Sequence, residues 1–150
     1  DERAVSRLRQ VKGQHHRPFS VIAPSLEWIH RNCVVSRDAL DWLSRLPGPY
    51  TLILPLRNPD AVAWNVNMGV DTLGVRLPDC WIKDVVRDLE VPLVTTSANP
   101  VGGDVMVDLR DMHPQIRSGV DFVIYDGAVR GVPSTLVYLE GGLVRVEERQ

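Results

Sequence analysis

The chain is short of several things that would narrow its function at once. It has only two cysteines among its 150 residues, Cys33 and Cys80, with no CxxC spacing and no flanking histidine pattern. That argues against a disulfide framework and a zinc site and leaves two buried or idle thiols. His15 and His16 are adjacent, so a regular strand cannot aim both at one ligand, and no Cys, Asp or Glu stands at ligand spacing. They read as solvent-facing turn residues, and no protein metal site is expected. No apolar run approaches the length of a membrane span, and no signal peptide is visible, which reads as a cytoplasmic, non-membrane protein. Neither charge sign dominates: 17 basic and 19 acidic residues leave a formal net charge of −2, so bulk nucleic-acid affinity is not implied. A local basic cluster (Arg3, Arg7, Arg9, Lys12, Arg17) does stand at the N-terminus. The chain has no G-x-x-x-x-G-K-[ST] loop and no G-x-G-x-x-G, which removes the common phosphate-binding designs. No nucleophile-and-base pair stands out, and there is no internal repeat or linker.

What is present is an ordinary globular composition, 44% hydrophobic and 24% charged, at a length that suits one domain over residues 1–150. Ala4, Val5, Leu8 and Val11 have helical spacing, with Gly13 as a stop. Residues 18–24 read as a strand. Ser25 caps a helix through Arg31, with Glu27 in its first turn, and Ser36 caps another through Leu46 with Leu40 and Leu43 on its inner face. Residues 50–56 and 72–77 read as strands, with loop between Asn58 and Gly69. Cys80 to Leu89 are amphipathic. Residues 92–96 form a buried strand, 108–117 a helix interrupted by Pro114, and 121–125, 134–139 and 143–147 three strands. Gly141-Gly142 turns the last two into a hairpin. Strands alternating with helices, ending in a hairpin, predict an α/β fold with a twisted mixed sheet and flanking helices. Trp28, Trp42, Trp64 and Trp81 are assigned to core or surface anchoring.

The most informative stretch is Pro92-Leu93-Val94-Thr95-Thr96-Ser97-Ala98-Asn99, a strand running out into hydroxyl and amide side chains, then Asn-Pro and Gly102-Gly103. In α/β folds that edge is the usual ligand site; a plain turn is the simpler alternative. Thr95, Ser97 and Asn99 alternate by two and can face one pocket. Thr72 and Arg76, four apart on a strand, share a face. An arginine between Val75 and Leu77 on an inner strand meets either an anion or a structural carboxylate. Lys12 and Arg17 are either phosphate-neutralising cations or surface charges at a helix end. Ser134 after Pro133 is either a ligand contact or an exposed strand-start hydroxyl. Thr51 is assigned to loop positioning.

That stretch, with Pro47-Gly48-Pro49-Tyr50-Thr51-Leu52-Ile53-Leu54, Asp71-Thr72-Leu73-Gly74-Val75-Arg76-Leu77-Pro78, Pro133-Ser134-Thr135-Leu136-Val137 and Leu143-Val144-Arg145, in this order, resembles the YrdC/YciO family from Asp1 to Arg145. The resemblance implies a YrdC-like domain and a nucleotidyltransferase, an L-threonylcarbamoyladenylate synthase. Such an enzyme makes threonylcarbamoyl-AMP and pyrophosphate from L-threonine, bicarbonate and ATP with Mg²⁺, for t6A modification of tRNA. It implies ATP contacts at Lys12, Thr72, Ser97, Asn99 and Arg145, and threonine contacts at Arg76, Thr95 and Ser134. A threonylcarbamoyl-transferase complex would use the product, and RNA contact is a further expectation. The chain departs from the family pattern in three places. Gln14 stands where the family has arginine, so either Arg17 supplies the guanidinium or ATP binding is weakened. Val146-Glu147 replace Pro-Gly. The strand and Pro-Thr-Asp-Thr-x-Tyr-Gly loop that precede this point in the family are absent before Asp1, where helical spacing is already under way; the chain reads as part of a longer or processed polypeptide. Two other readings follow: a non-catalytic nucleotide- or RNA-binding paralogue, and a carbamoyl-transfer domain of a hydrogenase-maturation protein. The lack of zinc-finger and acylphosphatase segments argues against the second.

Overall fold

The computed structural model describes residues 1–131 and 133–148. Its helices are α1 (Glu2–Lys12), α2 (Leu26–Asn32), α3 (Arg37–Leu43), α4 (Trp64–Asn67), α5 (Ile82–Leu89) and α6 (Pro114–Gly119). Its strands are β1 (Ser20–Ile22), β2 (Tyr50–Pro55), β3 (Thr72–Arg76), β4 (Leu93–Thr95), β5 (Thr135–Glu140) and β6 (Leu143–Glu147). The strands form one mixed sheet in the order β4-β1-β3-β2-β5-β6. β1 runs parallel to β3, and β2 parallel to β5; the other three neighbouring pairs are antiparallel. This is the expected α/β mixed sheet.

The element ends follow local chemistry. The Asp1 carboxylate accepts from the backbone N–H of Arg3 and Ala4, and Gly13 closes α1 in the left-handed region at φ 67°, as a C-terminal glycine does. Ser25 and Ser36 cap α2 and α3 through their hydroxyls. Gly141 and Gly142, both at positive φ, make the tight β5–β6 turn that two such residues permit.

Strand alternation sorts the sheet into two faces. Val21, Leu52, Leu54, Leu73, Val75, Val137 and Leu139 point to one side and are almost fully buried. There they pack with Val5 of α1, Ile29 of α2, and Ala39 and Leu43 of α3 in a single core.

Five expectations change in detail. The 108–117 helix is a 3-10 turn (Leu109–Asp111) and then α6, with Pro114 at the first position of α6, where its missing N–H costs nothing. The 58–69 segment is not all loop but holds a 3-10 turn and α4. Leu40 is 50% exposed, because the α3 stripe runs through Ala39 and Leu43, four apart. β4 is an edge strand with Leu93 exposed, not a buried one. Residues 121–125 form no strand: Phe122 is 77% and Ile124 63% exposed. β-propensity needs a partner edge to be realised, and neither β4 nor β6 supplies one. This chain is held instead by Tyr125 Oη donating to Asp108 Oδ2 at 3.1 Å and Val129 N–H donating to the Val107 carbonyl at 3.0 Å.

Candidate active site

The second face of the sheet carries the polar side chains. In register, Thr95 of β4 lies opposite Ser20 of β1, Ser20 opposite Gly74 of β3, and Gly74 opposite Ile53 of β2. Side chains paired across strands, or two apart along one, share a face. Thr95, Ser20, Thr72, Arg76 and Thr51 therefore look to the same side. The Thr51 and Ser134 hydroxyls meet at 2.7 Å, extending the row toward β5. Gly74 sits in the middle of it. A Cβ there would come within 3.1 Å of Ser20 Cβ, 3.2 Å of Ile53 Cδ1 and 3.3 Å of Thr51 Cγ2, tighter than ordinary packing. The buried Thr95 Oγ1 has no hydrogen-bond partner among the described residues. Such a hydroxyl carries a desolvation cost that a ligand or water group would relieve.

Where β4 ends, the Ser-Ala-Asn stretch turns back over the last residue of α1. Lys12 is only 5% exposed. Its Nζ donates to the Ser97 carbonyl at 2.7 Å, Ser97 Oγ at 3.0 Å, the Asn99 carbonyl at 2.6 Å and Asn99 Oδ1 at 2.8 Å. Ser97 Oγ in turn donates to Asn99 Oδ1 at 2.5 Å, and Asn99 Nδ2 to the Gly103 carbonyl at 2.5 Å. Burial pushes the Lys12 pKa down. The four oxygens, sharing the three N–H groups of an ammonium, favour the charged form. One ammonium thus shapes the whole turn and leaves a fixed positive charge beside its hydroxyl and amide groups.

Lys12, Ser97 and Asn99 are brought into one cluster at the β4 edge. Thr72, Arg76, Thr95 and Ser134 lie on the polar face. Arg17 is exposed, at the end of a turn whose Gln14 Nε2 donates to the Arg17 carbonyl at 3.1 Å. Gln14 therefore spends its amide inside the turn. Arg145 is on β6, at the opposite edge, five strand spacings or roughly 24 Å along the sheet from Thr95. Its guanidinium stacks 3.6 Å from the Tyr138 ring centroid and pairs with Glu147 at 3.2 Å. The structure does not bring it to the Lys12 cluster. His15 and His16 are exposed in the turn after α1.

Sequence reasoning missed two residues. Ser20 shares the face of Thr95, and its place between buried Phe19 and Val21 was the signal. Arg9 is buried with Lys12. Both fall at helical spacing from Val5, so the buried stripe of α1 is Val5, Arg9 and Lys12 rather than the apolar series Ala4, Val5, Leu8 and Val11.

A mixed sheet with an apolar face under helices, a hydroxyl-bearing opposite face and a cationic edge is an α/β architecture. The model of the Sua5_yciO_yrdC family, described as "Telomere recombination", matches residues 1–148, and the chain belongs to this family. A Methanocaldococcus jannaschii protein named "Putative threonylcarbamoyl-AMP synthase" is 31% identical over 146 residues, covering 93% of this chain and 66% of the relative. The threonylcarbamoyl-AMP synthase of Idiomarina loihiensis is 30% identical over 100 residues, covering 66% of this chain and 53% of the relative. The chain thus spans about two thirds of one relative's length and about half of the other's. The crystal structure of P. abyssi Sua5 complexed with L-threonine superposes with a TM-score of 0.83 at 27% identity, over 97% of this chain and 44% of that one. No helix among the described residues is long and apolar enough to cross a membrane.

Proposed function

We propose that this chain forms threonylcarbamoyl-AMP. The threonine amine would condense with bicarbonate to a carbamate, losing water. A carbamate oxygen would then attack the α-phosphorus of ATP, forming a P–O bond as the bond to pyrophosphate breaks. The observation that supports this most is the pairing of a caged cation with a hydroxyl-lined face. Lys12 with Ser97 and Asn99 suits a polyphosphate; Arg76, Thr95 and Ser134 suit a small zwitterion.

Each role follows from chemistry. The Arg76 guanidinium matches a carboxylate, and the Thr95 and Ser134 hydroxyls hold neutral donors and acceptors beside it. Lys12 supplies charge and holds Ser97 and Asn99 in place for the phosphates. Arg17 adds an exposed cation where Gln14 cannot, Thr72 lines the same face, and Arg145 would reach the nucleotide from the far edge. No covalent step on the protein is needed, so rate enhancement rests on positioning and preorganised charge. Among the described residues no three His, Cys, Asp or Glu side chains gather. The Mg²⁺ this chemistry uses would arrive on the triphosphate, held by phosphate oxygens and water. The mixed anhydride formed is reactive, so a transferase acting on tRNA adenosine is the partner that would consume it.

The test is pyrophosphate release from ATP with threonine and bicarbonate each present or withheld. Release that requires both is the expected result. ATP turnover indifferent to threonine refutes the proposal, and ATP binding without release points instead to a nucleotide-binding module.

A further inference from the structure

We propose that Arg9 is a positioning residue for the nucleotide site, acting through the turn that carries Arg17; this rests on the functional reading above. Arg9 is 6% exposed and has no carboxylate among its hydrogen-bond partners within the described residues. Instead its five N–H groups make five bonds to four backbone carbonyls. Nε and Nη2 both donate to the Asn65 carbonyl, at 2.8 and 2.6 Å, and Nη2 also donates to that of Val66 at 3.1 Å. Nη1 donates to the carbonyls of Gln14 at 3.1 Å and Arg17 at 2.9 Å. The guanidinium lies 4.5 Å from the Phe19 ring centroid, a stacking site that suits a planar cation.

Burying an arginine without an anion is costly. Here the cost is met with full satisfaction of the donor fork, which only a guanidinium has the geometry to supply. What the fork grips is informative. Gln14 and Arg17 are the two ends of the turn after α1, so their carbonyls fix its curvature and the direction in which Arg17 leaves it. Lys12 lies three residues further along the same helix, on the same face, and grips the Ser97–Asn99 turn. One face of α1 therefore holds both turns, and Arg9 sets where Arg17 stands relative to Ser97 and Asn99. The pinning is local, because the Arg9 donors go to the carbonyls of Gln14, Arg17, Asn65 and Val66.

The experiment compares wild type, Arg9→Lys, Arg17→Ala and the double variant by calorimetric titration with ATP and, separately, with L-threonine. Amide hydrogen exchange is followed on the ligand-free proteins. Lysine keeps the charge but cannot span four carbonyls. Arg9→Lys is expected to weaken ATP binding tenfold or more, leave threonine binding within twofold, and speed exchange at residues 13–18 and 65–67 only. Arg17→Ala should weaken ATP binding similarly, and the double variant should be no worse than the single ones, as two changes acting through one group require. Equal losses for ATP and threonine, or exchange that rises across the sheet, would show a merely structural role and overturn the proposal. Should Arg9→Lys fail to fold, Arg17→Ala still decides: ATP binding unchanged from wild type overturns the positioning claim. A wild type that binds no ATP would instead sink the functional reading, and the link to nucleotide with it.

Discussion

Replacing Lys12 by methionine keeps the length of the stem and removes the ammonium, and the structure says where the damage falls. Four oxygens lose the ammonium: the carbonyls of Ser97 and Asn99, Ser97 Oγ and Asn99 Oδ1. Ser97 is exposed, so water can take its place there at little cost. The two Asn99 oxygens are buried; Oδ1 keeps the Ser97 hydroxyl as a donor, and the carbonyl, a buried acceptor left unmade, costs about 1–3 kcal/mol. Against this, the variant no longer desolvates a charge. The net loss works out at about 2 kcal/mol, which for a domain of this size lowers Tm by roughly 4–8 °C. The loss should also be local: exchange at residues 96–103 should accelerate well before the β2–β3 amides do. Thermal unfolding followed by circular dichroism, with hydrogen exchange read by mass spectrometry, measures both. A Tm within about 2 °C of wild type, with the 96–103 turn as protected as before, would refute the argument that this ammonium holds the turn.

Three further outcomes follow from the packing. Burial pushes the Cys33 thiol from 9.0 up to about 11; the unfolded chain releases this proton first, so folding stability should fall as pH rises from 9 to 11. The loss should reach about 3 kcal/mol, measured as the pH slope of urea midpoints against Cys33→Ala, with parallel slopes as the contrary result. Gly74→Ala forces a methyl against Ser20, Ile53 and Thr51 and should cost about 1–3 kcal/mol, together with weaker threonine binding in calorimetry; a neutral change would mean the strands move apart freely. Thr51→Val removes the 2.7 Å bond to Ser134. It should cost about 1 kcal/mol in urea unfolding, and an unchanged midpoint would show that the pair contributes nothing.

The helices and strands with strong patterns were legible from the residues. Ser25, Ser36 and Gly13 marked real ends, and Gly141-Gly142 a real hairpin. The cluster of Ser97 and Asn99 was visible as alternation past a strand, and its link to Lys12 came only from the resemblance. Nothing in local sequence says that an ammonium 85 residues away in the chain, as counted to Ser97, closes that turn. Arg9 was illegible for a related reason: a cation on a buried stripe looks like a solvated face until its carbonyl partners, distant in sequence, are known. The 121–125 segment shows the opposite failure. Asp-Phe-Val-Ile-Tyr has every local mark of a strand, and pairing, which is not local, decided otherwise. Arg145 was placed by a motif whose neighbours here are Val146 and Glu147, and it ends on the edge away from the Lys12 cluster.

The two-faced sheet has a mechanical consequence. Sliding β1, β2, β3 or β4 by one residue would carry a hydroxyl or Arg76 into the aliphatic core and turn a valine or leucine to the polar face. The register is therefore locked twice, by what must stay dry and by what must stay polar. The floor of the site cannot shear, so any closing over a bound molecule falls to the connections at its rim, the turns that α1 grips with two cations.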